Sequence, residues 1–208
     1  MNRPINRIVI AAGILLAGAL TGCGGAVKMH PATAQQVAPP AADKVQVVFM
    51  RTSMIAGAIS ADLFEVIDGS PRLIGTLDPG KKVVYVTTPG RKLFMAYGDA
   101  ADFMLGDLAA GGRYFAIVRP NWGSGGMIPT PIRTDGSTDF NTGSPDFGKW
   151  VGSTTVVEPD AKELDAWNST EQDHIQTVYE KYWARFRQKT PEQIAERTLR
   201  PQDGFAAR

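Results

Sequence analysis

Three times between residues 79 and 118 the chain repeats one arrangement: a turn, a basic step and a short apolar run. Pro79-Gly80-Lys81-Lys82 precedes Val83-Val84-Tyr85-Val86, and Pro89-Gly90-Arg91-Lys92 precedes Leu93-Phe94-Met95-Ala96. Gly111-Gly112-Arg113 then precedes Tyr114-Phe115-Ala116-Ile117-Val118. Apolar runs this short have the length of strands, and Gly and Pro set the turns between them. Turns at such spacing predict a sandwich or barrel of short antiparallel strands. The runs are apolar at both parities, Val84 and Val86 as well as Val83 and Tyr85. A sheet with one wet face would alternate, so a second layer is expected to cover the other face.

The flanking sequence extends the pattern. Residues 45–50 are β-branched and apolar and read as a strand, followed by a small-residue loop over 54–60. Strands are expected at 62–67 and 72–77, joined by the turn Asp68-Gly69-Ser70-Pro71. Residues 127–133, interrupted by Pro129 and Pro131, fit an edge strand or an extended segment. Residues 134–149 are polar and turn-rich, and 153–157 are one more short strand. Beyond Glu158 the period becomes helical. A helix over 160–167 carries Leu164 and Trp167, and Ser169-x-x-Gln172 has the form of a capping box opening a second one. Ile175, Val178, Tyr179, Tyr182 and Phe186 form its apolar stripe, the natural cover for the sheet. Thr190-Pro191-Glu192-Gln193 is a further helix start, and Gly204 falls in a frayed tail.

Two segments, Thr88-Pro89-Gly90-Arg91-Lys92-Leu93-Phe94 and Leu108-Ala109-Ala110-Gly111-Gly112-Arg113-Tyr114-Phe115, resemble signatures of PEGA-like β-sandwich domains. The likeness covers about residues 45–119. Such domains recur in bacterial envelope lipoproteins of uncharacterised function, so the resemblance implies a small sandwich and carries over no active site. The expected fold is thus α+β: a small antiparallel β-sandwich followed by C-terminal amphipathic helices packed on one sheet face.

The N-terminus supplies an address. Arg3 and Arg7 precede a thirteen-residue apolar run over 8–20, too short for the about 20 residues of a spanning helix. A charged start, a short apolar run and small residues have the layout of a secretory signal. Its end, Leu20-Thr21-Gly22-Cys23, resembles the lipobox of bacterial lipoproteins. That resemblance implies cleavage after residue 22 and lipidation of Cys23, with two or three acyl chains making a durable anchor. By the sorting rule that this resemblance brings along, Gly24 rather than Asp after the cysteine implies the periplasmic face of the outer membrane over the inner membrane. The expected organisation is a signal peptide (1–22), lipidated Cys and flexible Ala/Pro/Gly linker (23–43), sandwich (44–157), helical part of the same domain (158–200) and disordered tail (201–208). The linker would span about 25 Å as a coil.

Composition excludes several chemistries. There are 22 basic and 21 acidic residues, which argues against nucleic acid as a partner. Cys23 is the only cysteine, so its acylation leaves no disulfide, thiol nucleophile or thiolate metal ligand.

Candidate sites are few. His30 lies in the linker and His174 on the flank of the helical stripe, with no G-x-S-x-G nucleophile motif to serve. Asp135-Gly136-Ser137-Thr138-Asp139-Phe140-Asn141 alternates oxygens as a calcium loop does. Phe140 and Asp146 occupy the positions where Gly and Glu are needed, so it reads as a solvated turn. Gly123-Ser124-Gly125-Gly126 is followed by Met127-Ile128-Pro129, not by a helix, and so is a loop rather than a phosphate cradle. Asn168-Ser169-Thr170 is a glycosylation sequon in form only. Trp122, Trp150 and Trp167 fit the core, although Trp122 borders the glycine-rich loop. The candidate partner contact is therefore Trp122 to Met127. No catalytic residue, metal ligand or cofactor is expected. The function expected is a non-enzymatic envelope binding or assembly module, anchored by lipid and contacting an envelope protein or cell-wall glycan. The rival is a cell-wall hydrolase using dispersed carboxylates, which pair across a cleft from positions distant in sequence.

Overall fold

The computed structural model describes residues 27–52, 59–121 and 126–206. Twelve strands and four α-helices follow one another in these segments. The strands up to the central turn are β1 (Met29–Pro31), β2 (Val45–Arg51), β3 (Ala61–Ile67), β4 (Ser70–Leu77), β5 (Lys81–Thr87) and β6 (Gly90–Tyr97). Then come β7 (Ala101–Leu108), β8 (Gly112–Pro120), β9 (Met127–Pro131), helix α1 (Phe147–Gly152) and β10 (Thr155–Pro159). Helices α2 (Ala161–Thr170), α3 (Gln172–Phe186) and α4 (Pro191–Glu196) precede the two-residue strands β11 (Thr198–Leu199) and β12 (Phe205–Ala206).

The strands form two sheets. The larger runs β1-β10-β5-β2-β8-β12 with β9 also on β8, and the smaller runs β11-β7-β6-β3-β4. Most pairs are antiparallel, but β2 runs parallel to β8, β10 to β5 and β11 to β7. The fold is the expected α+β sandwich, with mixed rather than purely antiparallel sheets.

The repeated turns explain the sheet. Gly80, Gly90 and Gly111 all take positive φ, a conformation costly for residues with a Cβ. Asp68 and Gly69 form the two-residue turn of the β3–β4 hairpin, both with positive φ, so Ser70-Pro71 belongs to the strand. Pro71 is tolerated because β4 is an edge strand.

Alternation then sorts the side chains. Val45, Val47 and Phe49 of β2 and Tyr114, Ala116 and Val118 of β8 meet Leu63, Phe94 and Met104 between the sheets. Phe49 packs its ring against that of Phe94 edge-on, centroids 5.3 Å apart. The opposite parity faces outward. On the smaller sheet Phe64, Leu73, Met95 and Phe103 lie under Ile175, Val178, Tyr179 and Phe186 of α3. The helical stripe covers a sheet face as its period predicts.

Several expectations are corrected. Residues 27–43 are not a flexible linker. Val27 is buried among the helices, β1 pairs with β10, and the Gln35 side chain bonds both N–H and C=O of Val156. Polar Ala/Pro/Gln sequence has no periodicity to reveal such a strap, whose hold comes from backbone and one amide side chain. Strand β7 was not foreseen, because Asp102, Gly106 and Asp107 dilute its apolar alternation. Ser169 does not cap α3: α2 runs through it, its hydroxyl donates to the Asp165 carbonyl, and Glu171 stands between the helices. The capping box at Thr190 and Gln193 does form.

The C-terminal residues 201–206 are not a disordered tail. Asp203 is fully buried and accepts from Arg133 Nη1 at 2.8 Å, and from Arg200 N at 2.9 Å and Nη2 at 2.8 Å. Burial pushes its carboxyl upward, but the hydrogen bonds from Arg200 and Arg133 outweigh that and hold it below the ordinary carboxylate value. Gly204 packs so close that a Cβ there would stand 2.7 Å from the Tyr114 ring. A buried carboxylate held by two arginines and a close backbone approach leave no hydrophobic period to read.

Candidate binding cleft on the larger sheet

The outward parity of the larger sheet presents Val48 and Met50 from β2, Val84 from β5, and Phe115 and Ile117 from β8. Among the described residues no long helix covers this face. Its cover consists of Val37 from the strap, Ile132 and Phe140 from the segment after β9, and Phe147, Trp150 and Val151 of α1. Such irregular pieces fit a flat surface incompletely, and a cleft remains between α1 and β12.

The cleft has a volume of about 390 Å³ and is lined by Arg113, Phe115, Phe147, Gly148, Val151, Gly152 and Phe205. Three rings shape it. Phe147 and Phe205 lie nearly parallel, 4° apart at 6.3 Å, and Phe115 stands edge-on to both, at 5.3 Å and 5.6 Å. Phe205, 38% exposed, is one of three exposed large hydrophobic residues among those described. Pairing of β12 with β8 places Phe205 beside Arg113, and alternation along β8 puts Arg113 on the same face as Phe115.

The same face carries cations. Arg113 donates from Nε to the Gln46 amide oxygen at 2.6 Å and from Nη2 to the Val37 carbonyl at 2.8 Å. Lys82, buried, donates to the carbonyl of Val151, a residue of the cleft wall, at 2.7 Å. Desolvation lowers the pKa of both groups. Neither makes an ion pair with a carboxylate among the described residues. Beside this region the strap leaves a second groove, of about 590 Å³, along Val37, Gln46, Val84 and the exposed Val86.

The acidic groups tell a different story. Glu65 is buried between the sheets, where it accepts from Tyr85 at 2.5 Å, from Thr87 at 3.1 Å and from Lys92 at 2.8 Å. Its donors come from both sheets, so it ties them together. Burial and the Glu65 carboxylate raise the Tyr85 phenol well above its ordinary value. Asp62 faces the helical side instead, bonded to Thr76 at 2.6 Å, and burial raises its pKa. Lying on opposite faces of β3, Glu65 and Asp62 do not converge across a cleft as a hydrolytic carboxylate pair does.

The remaining sequence candidates are distributed elsewhere. His174 is exposed, 6.4 Å from the Tyr97 ring. Asp135 bonds to Ser137, side chain and backbone, and pairs with Arg200, which together hold it at about 2. Asn168 is recruited by the fold: its side chain accepts from the Leu73 N–H at 2.8 Å, blunting the edge of β4. Trp150 packs over the larger sheet and Trp167 against Phe64 at 5.7 Å. Met127 is 1% exposed in the core between the sheets, so it is not a partner contact; its position on β9 turns it inward. Cys23 with the lipobox, Trp122, the loop residues 123–125 and most of the loop at 54–60 lie outside the described residues.

The ring cluster was missed in the sequence because its members stand far apart in it. Phe147 and Phe205 fall in segments read as turn and tail, and only Phe115 lies on a foreseen strand. No protein-family profile matches the chain, and comparison with curated proteins finds no match either.

Proposed function

We propose that the chain is a lipid-anchored envelope protein whose folded part is a binding module working through the Phe115–Phe147–Phe205 cleft. The observation that carries the binding role is that cleft: an aromatic surface left open on a domain that buries its other sheet faces. The anchor rests on the sequence Leu20-Thr21-Gly22-Cys23 and the charged apolar segment before it. The β-sandwich accords with the PEGA-like resemblance, and the outer membrane with Gly24.

Packing of the strap changes what the anchor does. Only residues 24–26 separate Cys23 from the buried Val27, a reach of about 14 Å at full extension. An acylated Cys23 therefore holds the β1 edge of the larger sheet close to the bilayer. The cleft lies at the β8–β12 edge, five strand spacings or about 24 Å away. The domain presents its cleft away from its point of attachment.

The test is site-specific photo-crosslinking in intact envelopes, with the crosslinker at Phe205 and, as control, at the exposed Glu180 of α3. A discrete product from position 205, lost when Gly148→Leu narrows the cleft and missing from position 180, supports the reading. Equal labelling from the two positions contradicts it. Release of the protein from membranes by Cys23→Ser tests the anchor separately.

A further inference from the structure

We propose that the cleft binds a fatty-acid-type carboxylate, its alkyl chain lying along the Phe115, Phe147 and Phe205 rings and its carboxylate toward Arg113. This rests on the binding-module reading and adds the chemical class of the ligand. Three observations converge on it. The cleft wall is apolar and aromatic, and its volume of about 390 Å³ lies in the range of small-molecule sites. Parallel rings 6.3 Å apart with a third ring edge-on form a lining for alkyl chain rather than for sugar hydroxyls, which need polar partners.

The third observation is charge. Arg113 belongs to the wall, and Lys82 reaches another wall residue, Val151. Lys82 is buried and Arg113 half-buried, and among the described residues both are bonded to neutral oxygens. An arriving carboxylate gives the half-buried guanidinium a charge-assisted hydrogen bond in a partly dehydrated site. Two of the five guanidinium N–H groups of Arg113 are used by Gln46 and Val37, which leaves donors for a ligand. An uncharged alcohol of the same chain length would fill the apolar part and forgo this gain. A short carboxylate would do the reverse.

The experiment is calorimetric titration of laurate into the chain from residue 23 onward, carrying Cys23→Ser, in detergent-free buffer. Every described core residue lies at or after Val27, so this chain retains the whole fold. Saturable one-to-one binding is expected, weakened about tenfold for dodecanol and for Arg113→Gln, in line with loss of a charged hydrogen bond. Gly148→Leu should abolish it. A Cβ at Gly148 meets no atom within 4 Å, so the substitution brings no backbone clash, and its urea midpoint checks that the variant folds. The proposal is overturned if laurate gives no saturable heat, if Arg113→Gln binds it as tightly as the parent, or if Gly148→Leu leaves binding unchanged. Absence of laurate binding together with a crosslink at position 205 that Gly148→Leu removes would overturn the ligand class alone. Absence of both would overturn the binding role.

Discussion

The two outer faces of this sandwich start from the same chemistry and end differently. On the smaller sheet Phe64, Met95 and Phe103 are sealed by a fifteen-residue helix whose stripe of Ile175, Val178, Tyr179 and Phe186 matches them. On the larger sheet Val48, Met50 and Ile117 are covered by a strap, a loop and a six-residue helix, and the Phe115–Phe147–Phe205 cleft stays open. A regular helix offers a continuous ridge to a sheet, whereas short pieces leave gaps between them. The sealed face serves stability, and the patched face is where a ligand finds room.

The largest way to break this contrast is Phe103→Ala. Phe103 touches the rings of Tyr179, Trp183 and Phe186, and its loss should destabilise the protein by about 3–5 kcal/mol in urea unfolding. A loss below about 1 kcal/mol would mean that the helical layer is not the stabilising one.

Next is the charge pair that holds the far edge of the larger sheet. Asp203→Asn leaves Arg133 buried without its counter-ion and should cost about 3 kcal/mol at neutral pH. The sign with pH follows from its lowered pKa. The stability contributed by Asp203 is fully present above the ordinary value of 3.8 and is lost as pH falls through the lower folded value. Urea unfolding against pH should show this acid loss in the parent and a smaller one in Asp203→Asn. Asp62 acts oppositely: its raised pKa favours the folded state at low pH, an advantage lost as pH rises through the folded value.

A smaller effect is expected for Gly204→Ala, which drives a methyl group against the Tyr114 ring and should cost about 1–3 kcal/mol. Smallest is Phe205→Ala, about 1 kcal/mol or less because the side chain is partly exposed, yet with ligand binding weakened strongly. Large loss of binding with little loss of stability is the mark of the open face, and the reverse that of the sealed one.

How legible all this was in the sequence follows the same division. Periodic elements could be read: the repeated turns and strands β5, β6 and β8, the stripe of α3, and the box that opens α4. What could not be read was held by single long-range partners. The strap depends on Gln35 and Val156, 121 residues apart, and the C-terminal clamp on Arg133 and Asp203, 70 apart. The cleft needs Phe115, Phe147 and Phe205 to meet across segments with no apolar period. Met127 shows the converse error, because its place beside Trp122 and the glycine-rich loop suggested exposure where sheet parity buries the side chain.

The most direct measurement is laurate affinity of the detergent-free protein set beside that of Gly148→Leu and Arg113→Gln, with urea midpoints recorded for each. The cleft account predicts saturable binding by the parent, none by Gly148→Leu and about tenfold weaker binding by Arg113→Gln, with Gly148→Leu as stable as the parent within about 0.5 kcal/mol. Unchanged affinity in either variant would contradict it.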